Sequence, residues 1–600
     1  MERKRRPDLR MTESRRGEVH HAAGAAISGH GVETERKERG IRLTNSGRAW
    51  YLIKKRDNPG RERFRGNVER NANGGEKAVE HMFERSGDKA VVRTTHGRVQ
   101  GYLLDGLAVF KGIPYARAER FHAPDETADW EGVLDACSYG FVCPLMSNEQ
   151  PRGELYVPHR YWPMDEDCLN LNIWTPGTDG AKRPVLVWLH GGGYAAGSSI
   201  EHIAYDGANM SRTGNAVVVS INHRLNILGY LDLSDFGEEY ANSGNAGGDD
   251  IIAALRWIRN NIAAFGGDPE NVTLFGQSGG GAKITTLLQS PAADGLYAKG
   301  VIMSGIIGPV LADEEGSGKE LAEAMMKKLG LRTARELETV DYVALAGAYL
   351  SVSPGLRQEG KYTGCSPHPN AFYLGDPLRK GFRPETSGIP LLIGSVFGEF
   401  TSFAPLPYDR ERLTEEEQTE IIRKAWGNEA AEAMIPLFRE AYPERRVIDL
   451  LRLDFVFRVP EIRYIAMRSR LNRSTWSYLF NMDQPIDGGN TPWHCCDIPY
   501  VFRNIGLVEY PHGPQAAEGL SEKIQEECFR SVMAFAATGC PENPAVPEWP
   551  ACVEGREPVL VLDEHTRVRE NYDHALMQAW ERFGGVILRK SRETEGQIQH

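Results

Sequence analysis

No run of 18 consecutive apolar residues occurs in this 600-residue chain, so no segment is long and apolar enough to cross a bilayer as a helix. Cysteine is sparse and badly placed for a framework. The nine cysteines are odd in number, widely scattered and never spaced C-x-x-C, which removes the usual signatures of redox dithiols, zinc ribbons and disulfide-stapled modules. Positive charge is also short. Lys and Arg number 70 against 82 Asp and Glu, a net charge of −12, and that balance argues against nucleic acid as a partner. Internal repeats are absent, which sets aside solenoids and propellers. What remains is 41% hydrophobic residues, enough for a packed globule. The length after a polar N-terminal stretch, about 510 residues, exceeds a usual single core but suits a large α/β sheet with helical insertions. With no signal peptide legible, the expected compartment is the cytoplasm and the expected thiol state is reduced.

Against these absences, one pentapeptide stands out. Gly276-Gln277-Ser278-Gly279-Gly280 is the sole G-x-S-x-G of the chain. It lies between an apolar run, Val272-Thr273-Leu274-Phe275, and a helix-like segment from about Ala282. A strand, a sharp turn and a helix in that order form a nucleophile elbow, which lifts a serine Oγ clear of a sheet. The frame by itself is weak, since roughly 0.3 matches are expected by chance in a chain this rich in glycine. Its strand–turn–helix context is what gives it weight.

An elbow serine needs donors for the negative charge that develops on an attacked carbonyl. Pro184 to Leu189 reads as a buried strand that runs into His190-Gly191-Gly192-Gly193-Tyr194. Successive glycines let backbone N–H groups approach a ligand closely and converge on one point. Two donors from this glycine run, with the N–H of Gly279, are the candidate oxyanion-hole donors; a Gly-rich turn with no such role is the plainer alternative.

The base and its orienting acid follow the serine in the order Ser, Asp/Glu, His in this type of site. Pro390 to Ser395 is a short apolar strand whose following turn carries Glu399, and Thr475 to Phe480 is another whose following loop reaches His494. Both side chains fall beyond the carboxyl ends of predicted strands, the edge at which open α/β sheets bind ligands. Glu399 and His494 are therefore the candidate acid and base, with Asp483 and Asp487 as alternative acids.

These phrases are similar to those of the type-B carboxylesterases, the cholinesterase-like group of α/β-hydrolases, and in character resemble bacterial para-nitrobenzyl esterases. The resemblance runs from about residue 91 to about residue 575. Besides the segments above, it is carried by Phe110-Lys111-Gly112-Ile113-Pro114-Tyr115-Ala116, Glu166 to Asn172, Asn222-His223-Arg224-Leu225, Phe265 to Pro269 and Asp497 to Phe502. It implies an α/β-hydrolase fold, a large mostly parallel sheet with helices on both faces, and a catalytic triad of Ser278, Glu399 and His494. It implies an oxyanion hole from Gly192, Gly193 and Gly279, a small-molecule ester substrate, and no cofactor or metal. Departures from the family pattern shape the expected substrate. Gln277 stands where an acid is frequent, and Pro158 where cholinesterases place a cation-gripping aromatic, with Trp162 at a different spacing. Neutral short-chain or aryl esters are expected over choline esters, with some tolerance of branched alcohols. An amidase or carbamate hydrolase with the same triad, or a non-catalytic interaction protein, are the alternatives. Cys143 and Cys168 match a pair that secreted relatives join as a disulfide. Zinc held by His494, Cys495 and Cys496 is a remote alternative, since vicinal ligands are rare in zinc sites.

Residues 1–90 are different material. They carry about eight more Lys and Arg than Asp and Glu, whereas the rest is acidic by about twenty. Without apolar periodicity they cannot offset their ordering entropy, and a disordered basic arm is expected. Ser14-Arg15-Arg16 faintly resembles a twin-arginine signal but lacks the apolar region behind it; contact with a membrane or RNA is a further alternative. The favoured explanation is translation starting near Val79 or Met82. The body, 91–588, is expected to alternate strands and helices, including a strand at Val217 to Ile221, an amphipathic helix over Asp249 to Phe265 and a late helix over Ser521 to Ala537. A helical cap is expected over about 312–450, and a loose tail over 589–600. Oligomeric state is not legible in the sequence.

Overall fold

A computed structural model describes residues 82–85, 90–146, 157, 159–308, 316–403, 407–484, 490–508 and 518–598. The basic arm through residue 81, Pro158 and Asp487 lie outside the described residues.

One twelve-stranded sheet organises the molecule. Its strands are β1 (Phe83–Glu84), β2 (Tyr102–Leu104), β3 (Leu107–Pro114), β4 (Asn170–Thr175), β5 (Arg183–Leu189) and β6 (Val217–Ile221). They continue with β7 (Gly267–Gln277), β8 (Lys299–Met303), β9 (Leu391–Val396), β10 (Thr475–Phe480), β11 (Pro558–Leu562) and β12 (Arg567–Glu570). Spatial order follows chain order except that β5 and β6 exchange places. The seven strands from β6 through β11 pair in parallel. The flanking strands β1 to β4 and β12 pair antiparallel. The sheet is therefore mixed at its flanks and parallel where the candidate residues were expected. Its first strands pair antiparallel, and of these only β2 and β3 are joined by a tight hairpin, through Asp105-Gly106.

The principal helices are α1 (Ala246–Asn261), α2 (Gly279–Leu288), α3 (Lys319–Leu329), α4 (Tyr342–Gln358), α5 (Glu415–Trp426), α6 (Asn428–Ala441), α7 (Arg458–Leu471), α8 (Leu520–Thr538) and α9 (His574–Ile598). They cover both faces, and the strand alternation decides which residue meets which helix. On β5, Val185, Val187 and Leu189 face a core shared with Ile251, Leu255 and Ile258 of α1 and Ile284 and Leu287 of α2. Leu186 and Trp188 face the opposite core, with Ile524, Phe529, Val532 and Phe535 of α8. Each such side chain is fully or almost fully buried, which favours folding by about 1.5–3 kcal/mol apiece before entropy is counted.

Several expected boundaries move for local reasons. The helix expected from Asp249 begins at Ala246, and its last turn, Ile262–Phe265, tightens to a 3-10 helix before Gly266 adopts a left-handed conformation. Glu415 to Ala441 is two helices, because Gly427 at φ 95° ends one and opens the next. Helices of the 312–450 region separate into two groups around β9. One, α3 and α4, packs on Ile227, Leu231 and Leu233; the other, α5 and α6, packs with α9 against Phe397 and Leu479. The tail expected to be loose from residue 589 instead continues α9 to Ile598. Among the described residues, no helix is long and apolar enough to cross a membrane.

Candidate active site

Ser278 occupies the junction between β7 and α2, with φ 58° and ψ −126°. A non-glycine residue held there is strained by about 1–3 kcal/mol, and such strain collects at functional sites. The surroundings hold it in place. The Ser278 N–H donates to the Met303 carbonyl at the end of β8 (2.8 Å), and its own carbonyl accepts from Ala282 in α2 (3.0 Å). Ser304, Glu399 and Cys495 also have positive φ, at 45°, 33° and 76°. Strained residues thus follow the ends of β7, β8 and β9, with a fourth in the loop beyond β10.

The glycine loop leaves β5 beside this elbow. Gly192 and Gly193 have φ of 82° and 63°, a region costly for any side chain. Among the described residues, neither amide donates to a protein acceptor. The loop lies directly on the start of α2: a Cβ on Gly279 would overlap the Gly193 backbone, and one on Gly280 would overlap the Leu189 carbonyl. The sequence therefore needs glycine there for close approach, and the Gly193 backbone lies against the amino end of α2, where partial positive charge gathers.

Glu399 and His494 come from loops stitched to each other. The Gly398 N–H donates to the Pro492 carbonyl (3.1 Å) and the His494 N–H to the Glu399 carbonyl (3.2 Å). The Ser402 and Thr491 hydroxyls lie 2.7 Å apart. The Glu399 carboxylate, fully buried, closely contacts His494 Nδ1 through Oε2. Its Oε1 accepts from the Ser304 hydroxyl (2.6 Å) and the Val396 N–H (3.0 Å). This arrangement fixes one ring nitrogen of His494 on the acid and leaves Nε2 for other work. Phe400 and Phe457 flank the imidazole at ring-centroid distances of 4.2 and 5.3 Å, and Phe400 is 52% exposed.

Gln277 is fully buried beside this pair. Its Nε2 is 3.3 Å from both ring nitrogens of His494. A single nitrogen equidistant from both cannot lie along both lone pairs, so the contact is packing against the ring more than a directed bond. Gln277 Oε1 accepts from the Cys495 thiol at 3.1 Å. Cys143 and Cys168 are buried free thiols. Trp162 packs edge-on against Tyr139 (5.6 Å), and Tyr194 hydrogen-bonds Thr286 of α2 through its hydroxyl (2.9 Å).

Behind Glu399 lie further buried acids. Burial, and then the Glu399 charge, push Asp454 and Asp497 each up to about 7. Asp454 caps α7, accepting from the N–H groups of Val456, Phe457 and Arg458. Asp483, the alternative acid, is elsewhere: it pairs with Arg410 and, at 2.9 Å, with Arg445. Sequence reasoning did not single out Ser304, Phe400, Phe457 or Asp454. Ser304 carried a usable signal, since it directly follows an apolar strand; the other three are brought in by packing alone.

A doubly wound sheet with a strained serine after one parallel strand and an acid–histidine pair after two others is the α/β-hydrolase arrangement. Residues 88–580 match the model of the carboxylesterase family, and the chain belongs to that family. Para-nitrobenzyl esterase of Bacillus subtilis is 33% identical over 501 residues, covering 80% of this chain and 96% of that protein. Phenmedipham hydrolase of Pseudarthrobacter oxydans is 32% identical over 494 residues, covering 79% and 95%. Among solved structures, an esterase from Clostridium hathewayi that can hydrolyse aliphatic aromatic polyesters superposes with a TM-score of 0.80 at 46% identity, covering 84% of this chain and all of that one. The protein is a carboxylic ester hydrolase.

Proposed function

We propose that this protein is a serine carboxylesterase for neutral short-chain and aryl esters, with Ser278 as nucleophile, His494 as base and Glu399 as orienting acid. The observation that carries the reading is the buried Glu399–His494 contact at the same sheet edge as Ser278 and the glycine loop. Ser278 Oγ attacks the ester carbonyl carbon as its proton passes to His494 Nε2. The carbonyl electron pair moves onto oxygen, which the amides of Gly192, Gly193 and Gly279 receive. Collapse expels the alkoxide, which takes the proton from His494, and leaves an acyl-Ser278. Water, deprotonated by the same imidazole, then releases the acid and restores the serine.

Substrate preference follows from two features. Gln277 brings no charge to the imidazole, and the exposed face of Phe400 offers an aromatic surface beside it. A flat aryl group stacking there gains about 0.5–1.5 kcal/mol beyond its area burial. The polyester activity of the Clostridium hathewayi relative supports aromatic substrates for this chain as well. The domain doing this chemistry is taken as 91–588, with the basic arm of residues 1–90 outside it.

The test is Ser278→Ala assayed on p-nitrophenyl butyrate. Turnover should fall by about 10⁴–10⁶ with the melting temperature unchanged. Retention of more than a tenth of the activity would end the assignment. A series of p-nitrophenyl esters of increasing acyl length, alongside benzoate esters, then ranks the preferred acyl group.

A further inference from the structure

A group of buried basic side chains lies beneath the glycine loop, and the hydrolytic steps above make no use of it. Lys283, in α2, is 1% exposed. Its Nζ donates to the His190 carbonyl at 2.9 Å. His190 and His223 stack with centroids 4.9 Å apart, each turning its Nδ1 toward a neighbouring backbone carbonyl at 2.9 Å. Glu201 is the acid that faces Lys283; it lies 3.7 Å from His159 Nδ1 and accepts from the Tyr205 hydroxyl at 3.3 Å.

A lysine is an expensive choice for this place. Burial brings its amine down to about 7, against the pull of Glu201. Burial, then the Lys283 charge, hold both imidazoles well below their ordinary range. The amino end of a helix also disfavours a cation. An apolar side chain would fill the same volume without these costs, so the directional bond to His190 is what a lysine adds.

The position of that bond is informative. His190 immediately precedes Gly191-Gly192-Gly193, and Tyr194 immediately follows them. Both ends of the glycine run are tied to the same helix, His190 by Lys283 and Tyr194 by Thr286. That helix also supplies the Gly279 amide. We propose that Lys283 is a positioning residue of the oxyanion hole, which clamps the start of the glycine loop to α2 and so fixes the spacing of the Gly192 and Gly193 amides from that of Gly279. This rests on the serine-esterase reading and adds the element that sets its donor geometry.

The clamp acts on the tetrahedral state more than on substrate binding, because the oxygen draws fully on those amides only when it carries charge. Lys283→Met keeps the bulk and removes the donor. In this variant, kcat on p-nitrophenyl butyrate should fall at least tenfold while KM stays within threefold. The affinity for an alkyl trifluoromethyl ketone should weaken by a similar factor. That ketone reports on the hole directly: Ser278 Oγ adds to its carbonyl carbon, the π pair moves to oxygen, and the serine proton goes to His494. Lys283→Gln, which retains an N–H donor on a shorter stem, should recover part of both losses. A lysine that only supports folding would shift the melting temperature and leave the ratio of ketone affinity to KM untouched. That result, or a kcat within twofold of the parent, overturns the proposal, as does failure of both variants to fold. Activity surviving in Ser278→Ala would instead overturn the underlying esterase reading.

Discussion

Replacing Glu399 by Gln tests the acid–base pair with the least disturbance of shape. The parent carboxylate accepts through both oxygens: Oε1 from Ser304 (2.6 Å) and Val396 (3.0 Å), Oε2 from His494. An amide has one acceptor oxygen and one NH2 group, so it cannot satisfy both sides. If its oxygen takes the Ser304 and Val396 bonds, the NH2 faces Nδ1 and drives the imidazole proton to Nε2, the atom that must accept from Ser278. If its oxygen faces His494, the NH2 confronts the Val396 N–H, and a buried donor goes unmet at about 1–3 kcal/mol. Either outcome removes the productive tautomer or strains its support, and a loss of about 10²–10⁴ in kcat follows, equivalent to about 3–5 kcal/mol at the transition state. Stability should fall by no more than about 1–3 kcal/mol, the cost of the unmet donor, because the Glu399 charge helps push Asp454 and Asp497 up to about 7, and that opposition disappears with the charge. The assay is kcat/KM on p-nitrophenyl butyrate beside a thermal melt, with Asp483→Asn as the control expected to keep full activity. An active Glu399→Gln, retaining more than a third of parental kcat/KM, would refute the role of Glu399. A dead Asp483→Asn would move it to the other acid.

Two other predictions rest on different parts of the structure. Butyrylcholine should be cleaved no more than about threefold better than 3,3-dimethylbutyl butyrate, since Gln277 supplies no charge to hold a cation; an aromatic grip would add about 0.5–2 kcal/mol, up to about thirtyfold, so a tenfold preference would refute this and point to Phe400. Arg458→Met should cost about 3–5 kcal/mol at pH 7 by chemical denaturation, because it strands Glu557 and Asp573 in the core, while Glu461, which burial pushes up to about 8, adds little charge. Burial alone would raise the Glu557 carboxyl, yet Arg458 and His574 hold it down to about 2 against an ordinary 4.5. The parent therefore keeps this stabilisation above about pH 4.5 and loses it as pH falls toward 2, whereas the variant should show a flatter acid limb; a variant within 1 kcal/mol of the parent would refute it.

The parts of the site that sequence reasoning located are those where backbone geometry dictates residue type. A strained turn demands the glycines around Ser278, an approach of loop to helix demands those at Gly193 and Gly279, and loops beyond two apolar strands, read in the order serine, acid, histidine, flag Glu399 and His494. Side chains recruited by packing left no such trace. Phe400 and Phe457 reach the imidazole because two loops are stitched together, and Asp454 reaches Glu399 by capping a helix that starts about sixty residues later. Lys283 looked like an ordinary helix residue, since nothing local reveals that its side chain points under the loop before the elbow. The antiparallel flank of the sheet was missed for a related reason: short edge strands are defined by what they pair with.

The stitching of the two loops has a bearing on how such an enzyme is remodelled. His494 and Glu399 are 95 positions apart in the chain, and the intervening residues include α5, α6 and α7. The pair is held by bonds between its own loops, by the strands directly below, and by the segment that opens α7, where the Asp454 N–H donates to the Phe397 carbonyl (2.8 Å) and Phe457 packs on the imidazole. Changes confined to α5 and α6, which pack with α9, should therefore leave the proton relay aligned, whereas changes at the start of α7 should not. Segment swapping between relatives should carry residues 452–458 together with the two loops they support.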